Sequence, residues 1–451
     1  MAGLLLAAGC SAPPQADRPP SDRATDARTV ETTAAADRSL TVAAAPADTP
    51  AATASPAGSG KPATARRTSL KVASYDSRTR RAVIAPKDKG GSPAPGAESP
   101  APPRGTAVGD VIASAPAPGA PEGLLARVTE VVGQTDRGTE VQTEPATLNA
   151  LLGDDTAKGS VPVDPASFDV EELLPDVDVS WSRTGDVHVG PEGATVPLGS
   201  LRLDVTAKLP KAESGPVSAT ASVSGFVQVA PQVDFRYGGA GTDSAPDSAY
   251  LGVSGDWDSG WALKGRAAVT RAPLRIPFAT LHADPVLQVG PVPVVVNLDL
   301  KCYLEISGDG SVTVDMEQSL TGDFEAGGSF GLSEGWEPVS SAEMTSTPVK
   351  SSVTAAGKVK AVLGAEAGVG LYGTVGVLAD LAPYLRGEAS VDTSGDPAVW
   401  GVYGGVDLKG TLRLQLSVFG TPIILHDIPL GTLHREWKLA GSETVQAGSA
   451  T

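Results

Sequence analysis

Strict alternation of apolar and polar residues, kept up over runs far longer than an ordinary strand, limits what this chain can fold into more than any other feature. From Val217 to Tyr237 the odd positions carry Val217, Ala219, Ala221, Val223, Val227, Val229, Val233 and Phe235, while the even ones are mostly Ser, Thr, Gln, Asp and Arg. From Val292 to Ile306 the even positions Val292, Val294, Val296, Leu298, Leu300, Cys302, Leu304 and Ile306 stand against Asn297, Asp299, Lys301 and Glu305. The pattern resumes after Ser307-Gly308-Asp309-Gly310 through Val312, Val314, Met316, Leu320, Phe324 and Phe330. Residues 353–377 keep apolar or small side chains at odd positions, and 402–418 keep apolar residues or Gly at even ones, against Asp407, Lys409, Arg413 and Gln415.

Period-two alternation gives a strand one buried and one wet face, as in antiparallel sheets. At about 3.3 Å per residue, a run of about 17 residues spans roughly 55 Å, against about 5–6 residues for an ordinary strand. Hairpin-like connections are expected at 307–311 and at Ser394-Gly395-Asp396-Pro397-Ala398. The expected fold is all-β with minor α: a long-stranded antiparallel sheet, arranged as an elongated sandwich or a barrel and preceded by a disordered N-terminal tether. The buried faces carry mainly Val, Ala, Leu and Gly, which lets two sheets approach to about 10 Å and favours a filled core.

Composition sorts the 451 residues into regions. Residues 11–66 are Ala, Pro, Thr, Ser and Asp with few large apolar side chains, so they read as a disordered linker. Leu70-Lys71-Val72 and Ala82-Val83-Ile84 read as two short strands around a basic turn, and 85–106 as a return to linker. The expected divisions are 1–10 (signal peptide), 11–66 (linker), 67–152 (small β module), 153–438 (long-stranded β domain) and 439–451 (disordered tail). Helices are expected at Ala146–Leu152, after Thr143-Glu144-Pro145, and at Ala166–Leu174. The net charge of −17 is uneven: residues 1–105 hold 14 basic and 9 acidic side chains, while the rest holds 21 and 43. A globular part so acidic repels phosphate backbones, which speaks against a nucleic-acid partner.

Met1 to Gly9 is a short apolar run ending in Ala7-Ala8-Gly9-Cys10-Ser11. Small residues before such a cysteine resemble the lipobox of bacterial lipoproteins, in which the cysteine carries a diacylglycerol after cleavage. The segment lacks the basic opening of a signal peptide, which a start codon further upstream would supply. The resemblance implies lipidation at Cys10, a membrane partner reached through that lipid, and an extracellular location. Cys302 is the only other cysteine, so no disulfide framework is available, and it is expected as a buried thiol.

Val108-Gly109-Asp110-Val111-Ile112, Pro121-Glu122-Gly123-Leu124-Leu125 and Val141-Gln142-Thr143-Glu144-Pro145-Ala146-Thr147-Leu148 follow one another in the module. They resemble segments of a family of uncharacterised β-rich secreted surface proteins of bacteria, more weakly continued at Leu371-Tyr372-Gly373 and Trp400-Gly401-Val402-Tyr403-Gly404. The resemblance implies an extracellular β-rich protein and no particular chemistry.

Catalytic and metal motifs are weak. Gly327-Gly328-Ser329-Phe330-Gly331 matches the G-x-S-x-G of serine hydrolases, and Asp427 and His434 follow in triad order, yet Ser329 lies on an alternating run with no helix after it. His188, His282, His426 and His434 make no metal-ligand spacing, and Asp315, Glu317, Asp323 and Glu325 read as a solvated strand face. Tyr372, Tyr384, Trp400 and Tyr403 lie among glycines, where rings either stack on a ligand or cover neighbouring glycines. The expected function is a non-enzymatic cell-surface lipoprotein without cofactor or metal, binding a cell-wall or surface ligand or serving as an envelope component. The alternatives are a tubular carrier of lipid or apolar ligand and a secreted hydrolase.

Overall fold

One strand of forty residues, Val292–Gly331, organises the molecule. The computed structural model describes residues 38–46, 49–55, 65–87, 106–174, 177–182, 188–190, 193–195, 200–208, 222–239, 245–269, 273–346, 350–353, 357–391, 397–413 and 427–441. In chain order the strands begin with β1 (Ser39–Leu40), β2 (Val42–Ala44), β3 (Ala52–Ala54), β4 (Arg66–Arg67), β5 (Leu70–Asp76), β6 (Arg81–Pro86), β7 (Val111–Ser114), β8 (Leu124–Thr135) and β9 (Gly138–Pro145). After helix α1 (Asn149–Leu152) come β10 (Thr156–Pro162), β11 (Asp169–Glu172), β12 (Val177–Ser182), β13 (His188–Gly190), β14 (Gly193–Thr195), β15 (Ser200–Lys208) and β16 (Ser222–Gly238). The long strands follow: β17 (Ser248–Val269), β18 (Leu274–Ala283), β19 (Val286–Val289), β20 (Val292–Gly331), β21 (Gly335–Ser346), β22 (Lys350–Val353), β23 (Gly357–Leu371), β24 (Thr374–Val391), β25 (Pro397–Arg413) and β26 (Asp427–Gly441).

Two antiparallel layers share β20. Its first half lies between β18 and β23, with β24, β25 and β26 beyond; its second half lies between β17 and the β21–β22 side, with β16 and β15 beyond. On one flank the partner changes from β18 to β17 between Ile306, opposite Leu274, and Gly310, opposite Val269; on the other it changes from β23 to β22 between Asp309, opposite Lys358, and Val314, opposite Val353. The hairpin expected at 307–311 is therefore absent. Pairing passes from one flank to the other, with 307–309 opposite β23 and 310–313 opposite β17, so the strand runs on without reversing. A strand passing from one sheet to the other is a recognised way to make the corner of a sandwich.

The two layers face each other across one core, and among the described residues the sheet does not close into a barrel, so the sandwich is the form adopted. Leu201, Leu203, Val233, Phe235 and Leu251 from one layer share a cluster with Phe278, Leu281, Leu298, Cys302, Val369 and Val406 from the other. At the far end Trp257, Leu320 and Met344 meet Leu304, Ile306, Val359, Leu385 and Val402. Of the even positions of β20 read as apolar in the sequence, Val292, Val294, Val296, Leu298, Cys302 and Leu304 are at most 3 % exposed and Leu300 is half-buried, while Val295 and Tyr303 on the odd side are buried as well.

The small module is a seven-stranded sheet in the order β4-β3-β7-β8-β9-β6-β5. One face has its own core of Val72, Ile84, Ile112, Leu124, Val128 and Val141. Its other face adds Ala52, Ala54, Val111 and Ala113 to the main core. The two strands expected around a basic turn are β5 and β6.

Four further expectations are corrected. Residues 38–54, read as part of a disordered linker, hold three strands. β1 pairs in parallel with β10, β2 pairs antiparallel with β19, and β3 joins the module. Their few apolar side chains suffice because glycines receive them: a Cβ at Gly159 would lie 2.7 Å from that of Val42, and one at Gly290 would lie 2.9 Å from Leu40 Cδ2. Residues 11–37, 47–48 and 56–64 of the linker, and residues 1–10 with Cys10 before it, lie outside the described residues. The helix expected at Ala166–Leu174 is a single 3-10 turn, Pro165–Ser167, followed by β11, which pairs with the open edge of β18. The first expected helix shortens to α1, whose Leu151 and Leu152 are buried and which ends at Gly153 (φ 55°). At the C-terminus, β26 takes in 439–441, where a tail was expected; the remainder of that tail, His426 and residues 394–396 of the connection expected at 394–398 lie outside the described residues, and Pro397 and Ala398 open β25.

Candidate binding groove

The outer face of the β18–β20–β23–β24–β25 layer is built in transverse rows fixed by register. Lys301 of β20 is opposite Glu366 of β23, Glu366 opposite Asp380 of β24, and Asp380 opposite Lys409 of β25. The next row runs His282, Asp299, Gly368, Leu378 and Thr411. Because Gly368 and Gly370 carry no side chain, the face sinks between β20 and β24 into a groove of about 750 Å³. Leu378 and Thr411 line one flank, Asn297 and Asp299 the other, and Glu122 of the module closes an end beside Gly373. A shallower depression of about 350 Å³ adjoins it beyond His282, Asp299 and Lys301, lined by Asp169, Glu171 and Thr280.

Charge in the groove is partly spent. Arg275 pairs with Glu366 at 2.8 Å and with Asp380 at 3.7 Å, and stacks 3.3 Å from the centroid of Tyr303. Tyr303 in turn donates its hydroxyl to Asp380 at 2.7 Å. Burial raises the Asp380 carboxyl above its ordinary range, against the pull of Tyr303 and Arg275. Lys301 and Lys409 are both exposed, and among the described residues neither ammonium has a hydrogen-bond or ion-pair partner.

His282 stands at the rim between two carboxylates, with Nδ1 2.8 Å from Asp299 and Nε2 3.1 Å from Asp284. Burial alone would lower its pKa, but the Asp299 hydrogen bond and the Asp284 charge outweigh that and raise it. Asn297 donates to Asp284 at 2.6 Å and accepts from the Gly373 N–H at 2.6 Å. This relay ties the groove wall to the Tyr372-Gly373 turn, where both residues have positive φ (48° and 76°).

The aromatic residues singled out in the sequence do not line the groove. Three of them, Tyr372, Tyr384 and Tyr403, each lie against a glycine. Tyr384 is fully buried, with its ring over Gly405, its hydroxyl donated to Glu436 at 2.9 Å and Lys360 3.7 Å from its centroid. A Cβ at Gly401 would lie 2.8 Å from Tyr403, whose ring carries Arg386 at 4.0 Å. The ring of Tyr372 lies against Gly123, and its hydroxyl is donated to the Pro293 carbonyl. Trp400 lies half-buried beside the cluster of Trp257, Leu320 and Val402. Tyr303 over Gly364, with Arg275 on the other ring face, repeats the arrangement at the groove's edge. Ring over glycine and cation over ring together stabilise strand positions that glycine alone would weaken.

The remaining motifs are dispersed. Ser329 sits in an unbroken ladder between Tyr250 and Glu337, so the strand-to-helix turn that exposes a hydrolase serine is not formed there. His434 bonds Asp407 through Nδ1 at 2.5 Å, and Lys360 bonds the same carboxylate at 2.8 Å. Burial would raise the Asp407 pKa, but these two hydrogen bonds lower it overall. Glu325 accepts from Tyr250 at 2.6 Å, while Glu317 and Asp323 are exposed. Among the described residues no three His, Cys, Asp or Glu side chains converge as a metal site, and no helix is long and apolar enough to cross a membrane. The groove row escaped sequence reading because four separate strands supply it, and only their pairing register aligns them.

Comparisons of the chain with family models, with curated proteins and with solved structures find no match in any of the three.

Proposed function

We propose that this chain is a lipid-anchored, cell-surface binding protein that carries no enzymatic activity. Acylation at Cys10 holds it to the membrane, and the outer groove of the sandwich receives the ligand. The observation that carries the reading is the groove itself: a concave, glycine-floored site with two exposed lysines that make no hydrogen bond or ion pair among the described residues, on a sandwich whose inner faces are occupied by their own side chains. Sites of a few hundred Å³ with a few convergent polar groups are the usual form of a binding pocket. In the producing cell, Cys10→Ala is expected to shift the protein from the membrane fraction to the medium or leave it unprocessed, and protease added to intact cells is expected to degrade the wild-type protein. Unchanged membrane association of the variant, or full protection on intact cells, would overturn the reading.

A second reading, a carrier of a lipid, is supported by one feature. Trp257 Nε1 and Ser259 Oγ are buried on the inner face of β17, and neither has a partner among the described residues. Organic extraction of the purified protein followed by mass spectrometry tests it, and close to one lipid per chain would put the carrier reading first.

A further inference from the structure

We infer that the groove takes an extended acidic peptide segment with two carboxylates about four residues apart. The inference rests on the groove's being the binding surface and is independent of the anchor. Lys301 and Lys409 are the cations of the groove with no hydrogen bond or ion pair among the described residues, although the Lys409 charge acts on Asp380 beside it, whereas Arg275 is committed to Glu366 and Asp380. They lie in one transverse row, separated by the β20–β23, β23–β24 and β24–β25 pairings. Three strand spacings of about 4.8 Å place their backbones roughly 14 Å apart. In an extended chain, side chains on one face at positions i and i+4 are separated by about 13 Å. Two acidic side chains at that spacing match the two ammonium groups, with Arg275 between them offsetting the charge of Glu366 and Asp380.

The groove's shape favours a peptide over an anionic saccharide. Its lining includes no aromatic ring on which a sugar face could stack. Its floor at Gly368 and Gly370 carries no side chain, so a backbone can approach the sheet closely. Both signs of charge are also available: beyond Lys301 the adjoining depression carries Asp169 and Glu171, and Glu122 closes the opposite end. A polypeptide with a basic residue outside its acidic pair uses all three features, which a uniformly anionic polymer does not.

The test is fluorescence anisotropy with the full-length purified protein and labelled nine-residue Gly/Ser peptides carrying two aspartates. The i, i+4 peptide is expected to bind. Peptides with the aspartates at i, i+1 or i, i+8 are expected to bind at least fivefold more weakly. Lys301→Ala and Lys409→Ala should each lower affinity for the i, i+4 peptide about fivefold, the upper end for one solvent-exposed ion pair. Circular dichroism confirms that each variant is folded, and Lys158→Ala, on the other layer, should leave binding unchanged. Equal binding at all spacings, binding unaffected by either lysine change, or no binding at all would overturn the inference. So would an oligouronic acid that binds more tightly than the peptide. A failure here leaves the Cys10→Ala result untouched, and a failure of the anchor leaves peptide binding intact, so the two readings fall separately.

Discussion

The ring of Tyr384 occupies the space above Gly405, so a methyl group at 405 would overlap the ring carbons and the phenolic oxygen. The ring cannot move aside, because Lys360 covers its other face and Glu436 holds its hydroxyl. Gly405→Ala is therefore expected to destabilise the protein by about 1–3 kcal/mol, the usual cost of overpacking. A methyl group added at Gly133 would meet nothing within 4 Å, so that position provides the control, and Gly133→Ala should change stability by about 0.5 kcal/mol or less. Urea denaturation of both variants measures the contrast, and equal effects would refute the role given to Tyr384.

Cys302 lies on the buried face of β20 between Ala279 and Ala365, and burial pushes its thiol up to about 12. The thiolate is the reactive form. Alkylation is expected to be negligible in the native protein and complete after denaturation, followed by mass spectrometry. Rapid native labelling would mean that the register of β20 is off by one residue, which exchanges its two faces.

His282 and Asp407 respond to pH in opposite senses. His282 binds its proton more tightly in the folded state, so its contribution to stability is complete below the unfolded value of roughly 6.5 and fades as pH rises through the raised native value. Asp407 is held low by His434 and Lys360, so its contribution is present above roughly 3.9 and fades as pH falls through its depressed native value. NMR titration should place His282 above an ordinary histidine, and Asp299→Asn should bring it back toward that value. A wild-type midpoint at or below the ordinary one would remove the clamp.

Residues 38–54 are tied into both layers and into the module, with Gly290 donating to the Thr41 carbonyl at 2.9 Å and Thr156 to that of Arg38 at 2.9 Å. Limited proteolysis is expected to leave a fragment that begins at or before Arg38. A stable fragment starting after residue 67 would show that these strands contribute little. Val42→Asp, which places a charge against Gly159, should lower stability by about 1–3 kcal/mol.

What the sequence disclosed follows from what local pattern can encode. Period two locates β16, β20, β23 and β25 and names their buried faces, because burial of one face imposes that period directly. Ser307-Gly308-Asp309-Gly310 reads as a turn from its composition, and only its unbroken pairing, 307–309 with β23 and Gly310 with β17, shows that the strand runs on. Ala166–Leu174 reads as a helix, but the free edge of β18 outweighs helix propensity there. The strap at 39–44 is hidden because two apolar side chains and two distant glycines make it, and composition averages them away. Of the candidate residues, the aromatics are visible in the sequence but not their placement over glycines, and Lys301 and Lys409 show only as the wet side of two strands.

Because β20 belongs to both layers, neither can come apart while the other stays whole. Ser248 meets Gly331 and Asn297 meets Gly370, so both layers depend on contacts between residues far apart in the chain. Such topologies fold slowly, since loop closure must precede any gain from pairing. The sandwich should accordingly melt in one cooperative transition, and a break at Gly308 or Gly310 should turn that single event into two.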